Sequence, residues 1–279
     1  MTDGERVQAI DGLITPNAIG GAERRPPADY LHASKEVREG LKRGVTGEQL
    51  VDEMEQAGVE KGIVDVGHFL LSNDDERAFV RAIVAAYPKR FLPAIGVNPL
   101  DGMEALRKME YEAKHNGIQV IRMGPWRIQK PPNDRIYYPF YAKAIELGLI
   151  VQINVGFPGP KVPAWVQDPI HLDDVCAFFP ELKLVMTHLG EPWVGTVIKM
   201  LLRWENAYLL TNAVAPKYYP NELIQFMNTR GADKVLFGSE YPFLPFKRCM
   251  DEIADLDLRD HVRRKFLREN ALRLFTWPE

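Results

Sequence analysis

The feature that most constrains this chain is a recurrence. Short apolar runs, each closed by a small or polar residue, alternate with segments of helical periodicity along almost the whole sequence. VQAIDGLI (7–14), GIVDVGHF (62–69), RFLPAIGVNP (90–99), GIQVIRMG (117–124), LIVQINVG (149–156), KLVMTHLG (183–190), AYLLTNAV (207–214) and KVLFGSEYP (234–242) read as strands buried on both faces. Between them, Thr46 with Gln49 three residues on forms a capping-box start for a helix through Ala57, with Gly58 at its end. Ser72 is placed to cap NDDERAFVRAIVAAYP, and GMEALRKMEYEAKH carries an apolar face at i, i+3/i+4 spacing. Strands alternating with helices require parallel βαβ units. The most economical closure is a single-domain (β/α)8 TIM barrel over residues 1–279, a length that suits one such barrel. Residues 15–45, rich in Pro and Gly, break the pattern as an irregular N-terminal insertion positioned to cover the rim as a lid. Two C-terminal helices, about 246–256 and 260–275, finish the chain.

Charge and composition narrow the partners. A net charge of −3 with mixed signs gives no basic stripe, so nucleic acid is not expected and a small-molecule substrate is. No apolar stretch reaches membrane-span length, and MTDGERVQAIDG lacks the layout of a signal peptide, so the expectation is a cytoplasmic protein with no membrane partner. Cys176 and Cys249, without CxxC or Cys/His spacing, are expected to be inert core thiols. The apolar helix WVGTVIKMLLRW is either a homodimer interface or packing on the barrel wall.

In such a barrel, residues at the strand ends share the C-terminal rim, where the chemistry sits. IDGLITP at the first strand, ELGLIVQINVG at the fifth, LVMTHLGEPW at the sixth, GSEYPF at the eighth and FLRENALRLF in the last helix together resemble the amidohydrolase superfamily. The similarity spans roughly residues 7–276 and lies closest to its "amidohydrolase 2" branch of metal-dependent hydrolases and decarboxylases. The resemblance implies a divalent metal on the rim, but most of the usual ligands are replaced. Leu13 and Thr15 stand where the first strand has two histidines, Asn154 where the fifth has a histidine, and Glu240 where the eighth has an aspartate. His188 is retained, a position that acts as acid or base in family decarboxylases. Leucine cannot ligate a metal, so no cofactor is expected. The alternative is a zinc, manganese or iron ion held by a rebuilt shell from Glu240, His188, Asp11 or His68.

The leading expectation is therefore an enzyme with His188 and Glu240 as an acid/base pair. Its chemistry would be hydrolytic or lyase-type (lactone or ester hydrolysis, hydration, decarboxylation) on a small carboxylated or aromatic molecule. A barrel retained only to bind a ligand or partner is the alternative from another class. Each residue also has a plainer role. Glu240 could brace the barrel in an ion pair with Arg122 or Lys247. Arg122 could hold a substrate carboxylate or brace the following loop, and Asn154 could bind a substrate oxygen or be hydrogen-bonded filler. His68 is a candidate substrate contact or a satisfied loop-edge histidine. Trp126 and Tyr241 could wall an apolar pocket or pack for their own sake.

Overall fold

The structure, a computed structural model, describes residues 7–18, 39, 42–67 and 74–278. His68, the Ser72 cap and most of the proposed lid (19–38, 40 and 41) lie outside the described residues. Eight parallel strands follow one another in the order β1 to β8. They are β1 Ala9–Ile14, β2 Val59–Gly67, β3 Phe91–Gly96, β4 Val120–Met123, β5 Ile150–Asn154, β6 Leu184–Thr187, β7 Ala207–Leu210 and β8 Val235–Leu236. The connections carry α1 Gly47–Ala57, α2 Asp74–Ala86, α3 Gly102–His115, α4 Tyr138–Glu146, α5 Leu172–Phe178, α6 Val194–Arg203 and α7 Asn221–Met227. After β8 come α8 Phe246–Ala254, α9 Asp260–Arg264, a π-helical turn Lys265–Glu269 and α10 Asn270–Leu274. This is the (β/α)8 barrel that the strand–helix recurrence implies.

Closure between the last strand and the first is made by single contacts rather than a regular ladder. Gly12 N donates to Phe237 O at 2.8 Å, Glu240 N to Leu13 O at 2.9 Å and Thr15 N to Tyr241 O at 2.8 Å. The end of β8 is thereby stitched onto β1 residue by residue.

Side-chain direction alternates along each strand. On β4, β5 and β6, Ile121, Ile153 and Met186 turn out towards the helices, and Val120, Ile150 and Val185 turn into the barrel. The same parity points Arg122, Gln152, Asn154 and Thr187 inward near the C-terminal ends. The barrel interior therefore has an apolar lower layer and a polar upper one. The lower layer joins Ile10, Leu13, Ile63, Leu92, Leu210 and Leu236 to Ala271, Leu274 and Phe275, so the C-terminal helix plugs the N-terminal opening. Asn270 secures the plug by donating to Ala232 O at 2.9 Å and Val235 O at 2.8 Å.

Local signals hold where they were strongest. Thr46 and Gln49 form both bonds of the capping box, and Gly58 ends α1 with φ 78°, a left-handed value glycine takes at no steric cost. Helix α6 buries Val194, Val197, Met200 and Leu201, so packing on the barrel accounts for its apolar face. Both cysteines are buried, and burial pushes the Cys176 thiol up to about 12. After β4 the chain makes a one-turn helix, Pro125–Ile128, because Pro at its first position is pre-set for helical φ.

Candidate active site

At the C-terminal ends of β6, β7 and β8 the backbone leaves the ordinary regions. His188 (φ 69°), Leu189 (φ 60°), Ala213 (φ 64°) and Glu240 (φ 59°) are all left-handed without being glycine. Each such residue costs roughly 1–2 kcal/mol, and strain of this kind gathers where side chains must be aimed. Here it aims two of them at each other. His188 Nε2 lies 2.9 Å from Glu240 Oε2, with side-chain exposures of 21% and 17%, so the pair is half-sunk in the rim and still reachable.

Two neighbours fix the pair, and Asn154 backs one of them. Asn212, just beyond β7, donates from Nδ2 to Glu240 Oε2 at 2.7 Å and accepts from His188 N at 3.2 Å through Oδ1, which sets the orientation of its amide. Thr187 Oγ1 stands 3.1 Å from His188 Nδ1 and 3.1 Å from Asn154 Oδ1. The Thr187 hydroxyl can donate to a neutral imidazole. When Nδ1 carries a proton it can accept that proton's hydrogen bond while donating to Asn154. His188 can thus change charge without losing a partner on either nitrogen.

Beneath the turn that carries Glu240 lies Asp11, fully buried. Its carboxylate accepts from Leu13 N at 2.9 Å, from Ser239 N at 3.1 and 3.2 Å, and from Ser239 Oγ at 2.5 Å. Burial outweighs these three donor groups and pushes the Asp11 carboxyl up to about 7, the nearby Glu240 charge adding to the rise.

The remaining sequence candidates fall as follows. Arg122 is buried against Asp65, Nη1 to Oδ2 at 2.5 Å, reaching from β4 to β2 past the small Ala94 of β3. Among the described residues its Nε–H meets no acceptor, and Gln152 Oε1 on the adjacent strand meets no donor. Asn154 faces Thr187. Trp126 sits half-buried after β4 with the Arg127 guanidinium 5.6 Å from its ring. Tyr241 is buried, stacked on Phe246 at 4.4 Å between ring centres, and its hydroxyl donates to Glu53 at 3.0 Å and accepts from Arg43 at 3.1 Å. The bracing role for Glu240 needs correction in its partner. Arg122 is taken by Asp65 and Lys247 by Asp251, one turn along its own helix, and Glu240 bonds instead to His188 and Asn212.

The described residues do not fit the metal centre that the family resemblance implies, and His68 lies outside them. Leu13 is packed in the apolar layer, and the Thr15 hydroxyl donates to Tyr241 O at 3.1 Å. Both oxygens of Asp11 are committed beneath the turn, and His188 Nε2 and Glu240 Oε2 satisfy one another. Among the described residues no three His, Cys, Asp or Glu side chains converge as a ligand set.

Three residues that shape the site were not singled out from sequence: Thr187, Asn212 in its bridging role, and Ser239 as the link to Asp11. Their common signal is position, each falling at or just past a strand end beside His188 or Glu240.

Comparison with known proteins fits this architecture. The amidohydrolase family profile matches residues 28–277, a span that begins beyond β1 and its replaced ligand positions. The chain belongs to the amidohydrolase family and is an enzyme of that kind. It is similar to an uncharacterized TIM-barrel protein from Bordetella bronchiseptica, at 28% identity and a TM-score of 0.77 over 95% of this chain and 97% of that one. A 5-carboxyvanillate decarboxylase from Novosphingobium aromaticivorans, complexed with manganese and 4-hydroxy-3-methoxy-5-nitrobenzoic acid, shares the fold at 16% identity (TM-score 0.70, 95% of each chain covered). So does a probable 2-pyrone-4,6-dicarboxylic acid hydrolase from Acinetobacter baumannii with citric acid bound, at 13% identity (TM-score 0.66, 96% and 98% covered). A search of curated proteins gave no match. Among the described residues no helix is long and apolar enough to cross a membrane.

Proposed function

We propose that this enzyme performs acid–base hydrolysis or lyase-type chemistry on a small carboxylated or aromatic molecule, without a metal, through the His188–Glu240 pair. The observation that carries this is the 2.9 Å contact between His188 Nε2 and Glu240 Oε2, held on the rim by Asn212 and Thr187. Their contact lets them pass a proton between them and act as a unit. In hydrolysis of a lactone or ester, Glu240 takes a proton from water. The resulting hydroxide adds to the acyl carbon, and the imidazolium returns a proton to the leaving alkoxide. In decarboxylation the C–CO2⁻ bond breaks, its electron pair stays on carbon, and the pair delivers the proton that carbon takes up. Hydrolysis leaves the pair with as many protons as it began with, restored by transfer from Glu240 to His188, and decarboxylation uses one that solvent replaces.

Arg122 forms the floor of the proposed pocket. Asp65 neutralises its charge, and its Nε–H, unpartnered among the described residues, is a donor suited to a substrate oxygen. Exposed Phe157, stacked on Trp193, and exposed Trp165 give the nearby rim loops aromatic surface that suits an aromatic substrate.

The test of the reaction is a panel of aromatic carboxylates and lactones assayed with protein stripped by chelator. Turnover should survive stripping, and His188→Ala or Glu240→Gln should each lower it by roughly 10²- to 10⁴-fold. Loss of turnover on stripping, restored by manganese, would replace this mechanism with a metal-dependent one.

A further inference from the structure

We propose that Asp11 is the positioning residue for Glu240, and that β1 has become the jig that holds the Ser239–Tyr241 turn in its strained shape. The inference rests on the acid–base reading of the His188–Glu240 pair. Alternate residues of β1 and its continuation, Asp11, Leu13 and Thr15, grip the three turn residues in succession. The Asp11 carboxylate takes Ser239 through both N–H and Oγ–H. Leu13 O takes Glu240 N at 2.9 Å, and Thr15 takes Tyr241 O through its N–H at 2.8 Å and its hydroxyl at 3.1 Å. Ser239 Oγ in turn accepts from Tyr241 N at 2.9 Å, so one carboxylate organises both flanks of Glu240.

The arrangement is costly unless it does something. A fully buried carboxylate that meets only Leu13 and Ser239, with no cation beside it among the described residues, is an expensive brace for an ordinary turn. Glu240, however, holds φ 59° without being glycine, and left free it would relax to an ordinary backbone region. That relaxation would carry its carboxylate away from His188 Nε2. Asp11 braces the turn in either protonation state, since its acid hydrogen can be donated to Ser239 Oγ when the carboxyl is neutral. The inward ends of β1, where the family resemblance places metal ligands, thus serve geometry instead: the strand no longer binds the reacting centre but aims it.

The test reads the His188 ring directly and needs no substrate. Long-range ¹H–¹⁵N spectra report the ring-nitrogen shifts of the histidines, and His188→Asn identifies the His188 signals by their loss. Glu240→Gln should displace those shifts. Asp11→Asn should displace them most of the way to the Glu240→Gln values, and Ser239→Ala should displace them in the same direction. Thr46→Ala, a distant cap variant that loses stability without touching the turn, should leave them where they are. Parental His188 shifts in a folded Asp11→Asn protein would overturn the proposal. If that variant does not fold, the same result in Ser239→Ala overturns it. Unchanged shifts in Glu240→Gln would instead refute the underlying pair, a separate and distinguishable failure.

Discussion

Glu240 is a carboxylate aimed by strain, and the residues around it carry the sharpest predictions. Asp11 gives one that depends on pH. Its carboxyl has an ordinary value of 3.8 and is pushed up to about 7 by burial. Between those values the folded protein keeps a proton that the unfolded chain has released. This contribution therefore stabilises the fold at low pH, is lost as pH climbs from about 4 to about 7, and is constant above. Asp11→Asn should remove that slope, up to ~1.4 kcal/mol per pH unit, as read from the difference in urea-unfolding free energy between variant and parent across the same range. At this scale the sequence was half legible. His188 and Glu240 stand out because a histidine and a carboxylate end two apolar runs. Asn212 and Thr187 do not, because an amide or hydroxyl at a strand end looks the same whether it orients a reacting group or caps a loop. Arg122 was visible as a charge inside an apolar run, but its partner Asp65 lies two strands away, a pairing fixed only by barrel register and the small Ala94 between them.

Elements were legible where one local interaction decides them. The α1 capping box is such a case, and Thr46→Ala should cost about 0.5–2 kcal/mol of stability in a denaturant titration, with the ring shifts of His188 unchanged. β8 was legible as an apolar run but not in its extent. Only Val235–Leu236 join the regular ladder, because the next residues bend into the turn that meets β1. The loop after β5 shows the same dependence on context. Gly156 has φ 86°, and a Cβ there would come within 2.8 Å of Glu191 O, where Phe157 N already donates at 2.8 Å. Gly156→Ala should therefore destabilise the protein by about 2 kcal/mol or more and lower turnover by parting the rim loops after β5 and β6, which a paired urea and activity measurement would show.

At the scale of the molecule, the barrel was readable from the count and order of strands, whereas the plug was not. Nothing in FLRENALRLF says that Ala271, Leu274 and Phe275 belong inside the barrel rather than on its wall. An amphipathic helix has an apolar face in either place, and only the open end of the sheet selects one. Deleting residues 270–279 should uncover the lower layer of the interior and remove several kcal/mol of apolar burial, giving a chain with no cooperative thermal transition by circular dichroism. The plug and the closing strand also set a timetable. The partner of β1 and the stopper of its interior both follow the other seven strands in the chain. Until residues 234–275 have emerged from the ribosome, the barrel has neither its closing strand nor its plug, and the first strand lacks one neighbour. Closure waits for that stretch, and until then protection from aggregation rests on whatever shields the exposed strand edges in the cell.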